Sequence, residues 1–256
     1  MTELDAEAQA TFDRGAAALA AGDATTAVTE LETLADRGVV DAAASFDRGL
    51  AYASRVREGS EQAGDLGRAA HGFEEARGLA SDEGLRADAT RALAAVRAEV
   101  ARRRARAGDP VELEPSVSPW LDVVRALPED AWATGAAVGS VVLGASLAVR
   151  WRSASQRIRA GGAIAAALAA LLLLSGAVAT SAARRDRRER AEAVVVAPQL
   201  RLAEPNGVVR QGGAALPEGA TVQIVDHSGS LVRVRWGAFD GWVPQTGVRT
   251  VARADR

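Results

Sequence analysis

The sequence of 256 residues lacks cysteine and lysine and contains only two histidines, His71 and His227. The absence of cysteine excludes disulfides and thiolate metal sites, and with two histidines a histidine-based metal site is not expected. We attribute the missing lysine to the coding bias of a genome, since all 31 basic residues are arginine. A formal net charge of −2 gives no electrostatic argument for binding nucleic acid.

Patterns typical of an active site are also missing. The sequence has no Cys–His pair, no nucleophile elbow, no phosphate-binding loop and no clustered metal ligands. We therefore expect a protein that is not an enzyme, with no catalytic, cofactor-binding or metal-binding residues. Residues that bind a partner are not identifiable from the sequence. We expect His71 to be a packed or surface residue, because no carboxylate–nucleophile arrangement accompanies it.

Charge is missing from two long stretches in the middle of the chain. Residues 131–149 and 160–183 are uncharged runs of 19 and 24 residues, and the segment 150–159 between them carries four arginines. A helix needs about 20 apolar residues to cross a bilayer. The pattern predicts a transmembrane helical hairpin over 131–183, and two crossings place both soluble parts on the same side. A buried hairpin of a soluble protein is the alternative.

Small residues recur along the first run. Gly135 and Gly139 form a GxxxG pattern, which Ser140 and Gly144 continue. Such a stripe lets a second helix approach closely in lipid. The partner could be the second span or a helix of another protein, and a chain this rich in glycine and alanine also produces the pattern by chance.

Residues 1–107 show no strand-like alternation and predict helices, with an internal repeat. The tetrapeptide FDRG occurs at 12–15 and at 46–49, an offset of 34 residues. A Gly-Asp turn follows each copy, and eight extra residues, REGSEQAG, lengthen the second turn. After the turns, Ala27, Leu31 and Leu34 of the first copy correspond to Ala69, Phe73 and Ala76 of the second.

This 34-residue helix–turn–helix period resembles the tetratricopeptide repeat. The register predicts helix pairs at about 4–35 and 41–80 and a capping helix at about 83–107. We expect the aromatic residues of the repeats to be core residues: Phe12, Phe46, Tyr52 and Phe73. The arginines at 102–106 are interpreted as a solvated face at a helix C-terminus, where the dipole favours cations. Solenoids of this kind usually present a concave face to a peptide or partner protein.

The segment 108–130 is predicted to connect the helical region to the hairpin. GDPVELEPSVSP contains three prolines and is typical of an extended linker. The following PWLDVVRALPEDAW places apolar residues on one helical face, which indicates a short interfacial helix.

A basic linker at 184–192 precedes a region of period-two alternation, which predicts a small all-β module at 193–256. Turns are expected at 212–213, 217–219, 227–229 and 240–241. The expected core and strand faces comprise Val222, Ile224, Leu231, Val232, Val234, Trp236 and Val243.

The stretch LPEGATVQIVD…SLVRVRWGAFDGWVP resembles the bacterial SH3-like (SH3b) barrel. The likeness depends on the Gly219 turn, the strand around Val232 and Val234, and the closing GWV at 241–243. Leu231 departs from the pattern, since such modules often place tryptophan there, and this weakens the case for an aromatic binding groove. Trp242 is expected in the barrel core.

The order of these parts defines the expected fold class: an all-α tetratricopeptide-repeat solenoid, a transmembrane hairpin and a small all-β SH3-like barrel. That order is similar to the tetratricopeptide-repeat component of the Bat (Bacteroides aerotolerance) operons, often called BatE. The stretches GDLGRAAHGFEEA, AVRAEVARRRARAGDP and GWVP carry the likeness. It implies a non-enzymatic inner-membrane scaffold or adaptor in envelope stress or aerotolerance. The implied partners are membrane proteins with von Willebrand factor A domains and a MoxR-type AAA ATPase system.

The expected location is the bacterial inner membrane, with both soluble parts periplasmic rather than cytoplasmic, as the resemblance implies. The N-terminus, MTELDAEAQATFDRG, has neither the basic nor the apolar region of a cleavable signal peptide, which departs from the family. The alternative function is a membrane-anchored module that binds cell wall (peptidoglycan), because SH3b domains often occur in peptidoglycan enzymes.

Overall fold

The computed structural model describes residues 6–109, 113, 129–153, 155–188, 191–209 and 215–253. These ranges form two compact units, one made of residues 1–115 together with 191–256 and the other of residues 116–190. The expected linker and interfacial helix at 108–130 lie mostly outside the described residues.

The first unit begins with five helices. They are α1 (Ala6–Ala20), α2 (Ala24–Asp36), α3 (Ala42–Arg57), α4 (Asp65–Leu79) and α5 (Glu83–Arg106). Aspartates begin three of them, because the carboxylates of Asp23, Asp41 and Asp82 accept hydrogen bonds from backbone N–H groups of the first turn. The boundaries agree closely with the expected helix pairs, and the eight extra residues fall around the α3–α4 loop.

Within each pair, an interior glycine lets the two helices approach closely. A Cβ atom on Gly15 would lie 2.8 Å from Leu31 Cγ, and one on Gly49 would lie 2.8 Å from Phe73 Cδ1. Both distances are shorter than ordinary carbon contacts, so neither site has room for a side chain. The two contacts are equivalent in the repeat. Gly49 lies 34 residues after Gly15, and Phe73 lies 42 residues after Leu31, which is the same period plus the eight extra residues of the second turn.

The strands of the first unit follow the hairpin in the chain. They are β1 (Ala191–Val195), β2 (Gln199–Arg201), β3 (Ala215–Pro217), β4 (Thr221–Ser228), β5 (Leu231–Trp236), β6 (Phe239–Pro244) and β7 (Val248–Thr250). Five of them form an antiparallel sheet in the order β6-β5-β4-β1-β7, and β2 pairs with β3. Backbone hydrogen bonds between Ala203 and Trp242, at 2.8 and 3.0 Å, connect the two sheets.

The predicted small β module is therefore present, with corrections in detail. Six of the seven expected core residues are buried, whereas Leu231 is only partly buried. The turn expected at 240–241 is wrong, because Asp240 and Gly241 lie within β6 and the chain turns at Gly237 instead. The turn expected at 212–213 lies outside the described residues. Trp242 is half-buried, since it alternates with the buried Gly241 and Val243.

The helical and β segments share one hydrophobic core. Buried side chains from both belong to a single cluster, which includes Leu31, Phe73, Leu93, Val194, Leu216 and Val232. From the sequence, the two segments were expected to be separate domains. In the structure they form one body, although about 80 residues separate them in the chain.

The second unit consists of α6 (Glu129–Arg152) and α7 (Gln156–Arg188). Both are long and apolar enough to cross a membrane, with windows of mean hydropathy 1.6 and 2.2, of which only 11% and 17% is buried. In a core helix of a soluble protein, most of such a window would be buried. The ten-residue loop expected at 150–159 is shorter, because α6 continues to Arg152 and α7 begins at Gln156. Likewise, the basic linker expected from residue 184 starts as helix.

Glycine also sets the packing of α6 on α7. A Cβ atom on Gly139 would lie 2.9 Å from the backbone nitrogen of Leu173, and one on Gly176 would lie 3.0 Å from Ala136. The two backbones are therefore in direct contact. A Cβ atom on Gly135 or Gly144 would meet no atom of α7 within 4 Å in the described part of the chain. Only Gly139 of the GxxxG pattern therefore packs against the second span.

Candidate functional site

Among the described residues, no group of three or more histidine, aspartate or glutamate side chains could hold a metal ion. The polar side chains that are buried lie mostly where the helices meet the β segment. We therefore describe two features of the first unit: this junction, and an open groove on the helices.

At one end of the junction, β1 lies directly on the first turn of α4. A Cβ atom on Gly67 would be 2.6 Å from the carbonyl oxygen of Val195, so a side chain there would separate the two elements. Glu218 accepts a 2.7 Å hydrogen bond from the Gly67 N–H, although 151 residues separate them. A carboxylate at a helix N-terminus stabilises the helix. Burial nevertheless raises the pKa of Glu218, because it disfavours the charged form.

At the other end, β7 is held to α2 by a bidentate ion pair. Arg249 donates to both carboxylate oxygens of Glu32, at 2.9 and 2.7 Å. The Tyr52 hydroxyl donates to Glu32 as well, at 2.9 Å. Burial acts to raise the pKa of Glu32, but Arg249 and Arg48 outweigh it and hold that pKa below its ordinary value.

The centre of the junction is a buried network around His71 of α4. Arg48 donates to Glu75 at 2.6 Å and lies 3.2 Å from Nδ1 of His71, while Nε2 of His71 lies 2.8 Å from the carbonyl oxygen of Thr250. Because a guanidinium only donates and a carbonyl only accepts, Nδ1 must be the acceptor and Nε2 must carry the proton. The contact with Arg48 therefore requires neutral His71, because Nδ1 would carry a proton in the charged ring.

The charges of this network balance. Two carboxylates, Glu32 and Glu75, lie among two guanidiniums, Arg48 and Arg249. Burial lowers the pKa of His71 to about 4. Glu75 favours the charged form of the ring, whereas Arg48 opposes it. The pKa of Glu75 is held low by His71 and Arg48 despite its burial. Both nitrogens of His71 are engaged, one with Arg48 and the other with Thr250, so the network holds α3 and α4 against the end of β7.

Further contacts extend the junction to α5 and to the segment after it. Arg97 donates to the Thr221 hydroxyl at 2.7 Å, and Trp236 Nε1 donates to the carbonyl oxygen of Leu113 at 3.3 Å. The β segment is thus attached through α2, α4 and α5.

An open groove lies between α3 and α5. Its volume is about 420 Å³, and Leu66 and Phe73 of α4 form its floor. The walls are apolar side chains, which are Leu50, Ala53 and Val56 on α3 and Ala92, Ala95 and Val96 on α5. The groove is large enough to accept side chains of another molecule.

Cations rim one end of this groove. Arg57, Arg102 and Arg103 line it, with Glu99 as its only carboxylate among the described residues. Glu99 already accepts from Arg102 and Arg103 at 2.8 Å each. Arg57 donates to the Ser54 hydroxyl and forms no ion pair within the described ranges. Arg103 also pairs with Glu61, at 2.6 and 2.8 Å, so the three arginines face two carboxylates and the rim keeps a small excess of positive charge.

Some residues that were singled out from the sequence lie at the junction and some line the groove. Tyr52 and Phe73 are buried as expected, whereas Phe12 and Phe46 are only partly buried. His71 is buried, which is one of the two positions that the sequence allowed. Glu32, Arg48, Glu75 and Arg249 were not singled out. Nothing in the sequence signals that Glu32 and Arg249, 217 positions apart, will pair, or that Arg48 and Glu75 will meet from two different helices.

Comparison of the chain with protein-family models, with curated proteins and with solved structures finds no match.

Proposed function

We propose that this chain is a non-enzymatic scaffold or adaptor, anchored in the bacterial inner membrane by α6 and α7. One observation carries the proposal: the apolar hairpin is inserted between two segments that fold into one compact unit. Because both ends of the hairpin return to the same body, the chain must cross the membrane an even number of times. The apolar surface of two exposed helices is then explained by lipid.

We infer that the helix pairs are tetratricopeptide-type repeats and that the strands form an SH3-like barrel. The equivalent Gly15–Leu31 and Gly49–Phe73 contacts support the first inference. The antiparallel β6-β5-β4-β1-β7 sheet, with a short helical turn at Gln245–Gly247 before its last strand, supports the second. The open groove gives the scaffold a surface for a partner protein.

The Bat resemblance supplies the proposed biological setting. The partners would be membrane proteins with von Willebrand factor A domains and a MoxR-type AAA ATPase system, acting in envelope stress or aerotolerance. In this setting the compact unit is periplasmic.

The absence of cysteine makes the topology directly testable. Single substitutions Thr25→Cys, Ser155→Cys and Ser230→Cys place one thiol in the helical segment, between the spans and in the β segment. Labelling of intact cells with a membrane-impermeant maleimide should modify positions 25 and 230, and position 155 only after lysis. All three residues are exposed, so burial does not limit their labelling.

The opposite pattern, with only position 155 labelled in intact cells, would keep the anchor but place the compact unit in the cytoplasm. Different behaviour of positions 25 and 230 would contradict the proposal, because residues on opposite sides of a membrane cannot share a core.

A second candidate function is binding of peptidoglycan by the β segment. It is favoured by Phe239, which is 47% exposed and stacks on Trp236 with ring centroids 5.9 Å apart. Exposed aromatic rings are suitable for stacking against sugars. Sedimentation with purified peptidoglycan should retain the detergent-solubilised chain and release the Phe239→Ala variant, if this candidate is correct.

A further inference from the structure

We propose that the groove between α3 and α5 binds an amphipathic helix of a partner protein whose N-terminal turn is acidic. The proposal rests on the scaffold function above and specifies the chemistry of its partner. It follows from the shape, charge and direction of the groove.

The shape favours a helix. On α3, the apolar wall and the cationic rim extend from Leu50 to Arg57, a rise of about 10 Å at 1.5 Å per residue. Apolar residues at i, i+3, i+4 and i+7 of a bound helix cover the same length. Phe73 closes the floor and is itself only 1% exposed.

The charge favours an acidic partner. Arg102 is 64% exposed in its side chain and Arg103 is 38% exposed, while their shared carboxylate Glu99 is 29% exposed. Arg103 also pairs with Glu61, so the unbalanced charge of the rim comes from Arg57 and Arg102. Arg57 adds a cation without an acidic partner in the described part of the chain. A helix with glutamates at this end would complement the rim, and electrostatic complementarity of this kind gives specificity.

The direction follows from the neighbouring helices. Helices α3 and α4 are antiparallel, as shown by the contacts Arg55–Asp65 and Ser45–Glu75. Helices α4 and α5 are antiparallel too, as shown by the pairs Arg103–Glu61 and Arg97–Glu74. The C-termini of α3 and α5 are therefore both at the cationic end. A bound helix with its acidic N-terminus there would be antiparallel to both, and its dipole would oppose theirs favourably.

The test uses the full chain in detergent micelles and a fluorescent synthetic peptide. The peptide carries leucines at i, i+3, i+4 and i+7 and glutamates in its first turn. One comparison peptide has the glutamates in its last turn, and another has lysines in their place. Binding is measured by fluorescence anisotropy.

We expect the peptide with N-terminal glutamates to bind at least ~10-fold more tightly than either comparison peptide, as expected for charge-directed specificity. Arg57→Glu should weaken its binding by ~10-fold, since it reverses a charge at the rim. Because the Ser54 hydroxyl is the only hydrogen-bond partner of the Arg57 side chain among the described residues, this variant should still fold. The matched control is Arg91→Glu on α5, outside the groove, where the side chain is 78% exposed and binding should not change. Ala53→Trp should fill the groove and abolish binding.

Equal binding of the three peptides, or equal effects of Arg57→Glu and Arg91→Glu, would overturn the proposal. So would groove-dependent dimers of the chain without peptide, since a second copy would then be the occupant. Cysteine labelling of the membrane topology is independent of the groove, so the scaffold proposal can survive the failure of this one.

Discussion

In the unit formed by residues 1–115 and 191–256 the large apolar side chains lie inside, whereas in the hairpin they lie outside. Phe73 and Leu31 are each 1% exposed, but Leu171 and Leu174 of α7 are 66% and 63% exposed. Each arrangement suits a different solvent, water for the first unit and lipid for the second. The same residue types are therefore placed oppositely within one chain.

The two units also differ in what holds their elements together. The compact unit has ion pairs at its junction, Arg48 with Glu75 and Arg249 with Glu32. The hairpin instead relies on close backbone contact at Gly139 and Gly176. In lipid there is no hydrophobic driving force between helices, so small residues and van der Waals contact take its place.

The largest effect should come from changing the exterior of the hairpin. The full chain is expected to remain in the membrane pellet after an alkaline carbonate wash. Replacing Leu171 and Leu174 with arginine should release it, since each arginine near a helix centre costs about 2.5–3.5 kcal/mol of insertion. Val40→Arg, at an exposed site of the compact unit, is the control and should leave the chain in the pellet. Recovery of the unmodified chain in the supernatant would refute the membrane assignment.

Among substitutions in the compact unit, those that break the buried network should lower the free energy of unfolding most. Glu75→Ala removes the carboxylate that accepts from Ser45, Arg48 and the Ala252 N–H. A buried guanidinium left without its partner should lower the free energy of unfolding by about 3 kcal/mol. Urea denaturation of the chain in micelles measures this loss. Asp88→Ala, which removes an exposed partner of Arg91, should change the stability by less than about 0.5 kcal/mol.

A glycine substitution tests the helix pairs. Gly49→Leu would place a side chain where Phe73 already lies and should destabilise the compact unit by about 1–3 kcal/mol. Gly78→Ala is the matched control, because its Cβ atom would meet only ordinary contacts at 3.6 Å. It should be neutral or stabilising by up to about 1 kcal/mol, since alanine favours helix. Equal melting temperatures for the two variants would show that the assigned repeat register is wrong.

The remaining effect concerns pH. The pKa of His71 is lowered from 6.5 to about 4, so between these values the unfolded chain binds a proton that the folded chain does not. Stability should therefore fall as the pH decreases from about 6.5 to about 4. The pKa of Glu75 is also lowered in the folded chain, so its protonation should reduce the stability further at still lower pH. Glu32, Arg48 and Arg249 surround the pair. His71→Gln should flatten the slope in chemical denaturation between pH 4 and 6.5, and an unchanged slope would contradict this role.

Much of the local structure was predictable from the sequence. Hydrophobic periodicity and the FDRG repeat placed five helices, and the uncharged runs placed α6 and α7. Errors occurred where the signal was ambiguous. Asp240-Gly241 is a common turn pair, yet its glycine lies in β6, where a Cβ atom would be 2.9 Å from that of Leu202. The glycine is required there by packing and not by a turn.

The GxxxG pattern could not be resolved from sequence for a similar reason. Gly135 and Gly139 are separated by one helical turn, but only Gly139 meets α7. Spacing places both residues on one face, whereas the crossing of the two helices decides which of them is contacted.

The sequence by itself determined the helices, the strands and the apolar hairpin, because each depends on residues close together in the chain. Only the tertiary structure decided that the two ends of the chain form one body. It also decided that Glu32 meets Arg249 and that Glu218 caps α4, across 217 and 151 residues. Pairing over such separations leaves no local pattern, since it depends on how completed helices and strands bury their remaining apolar surface against each other.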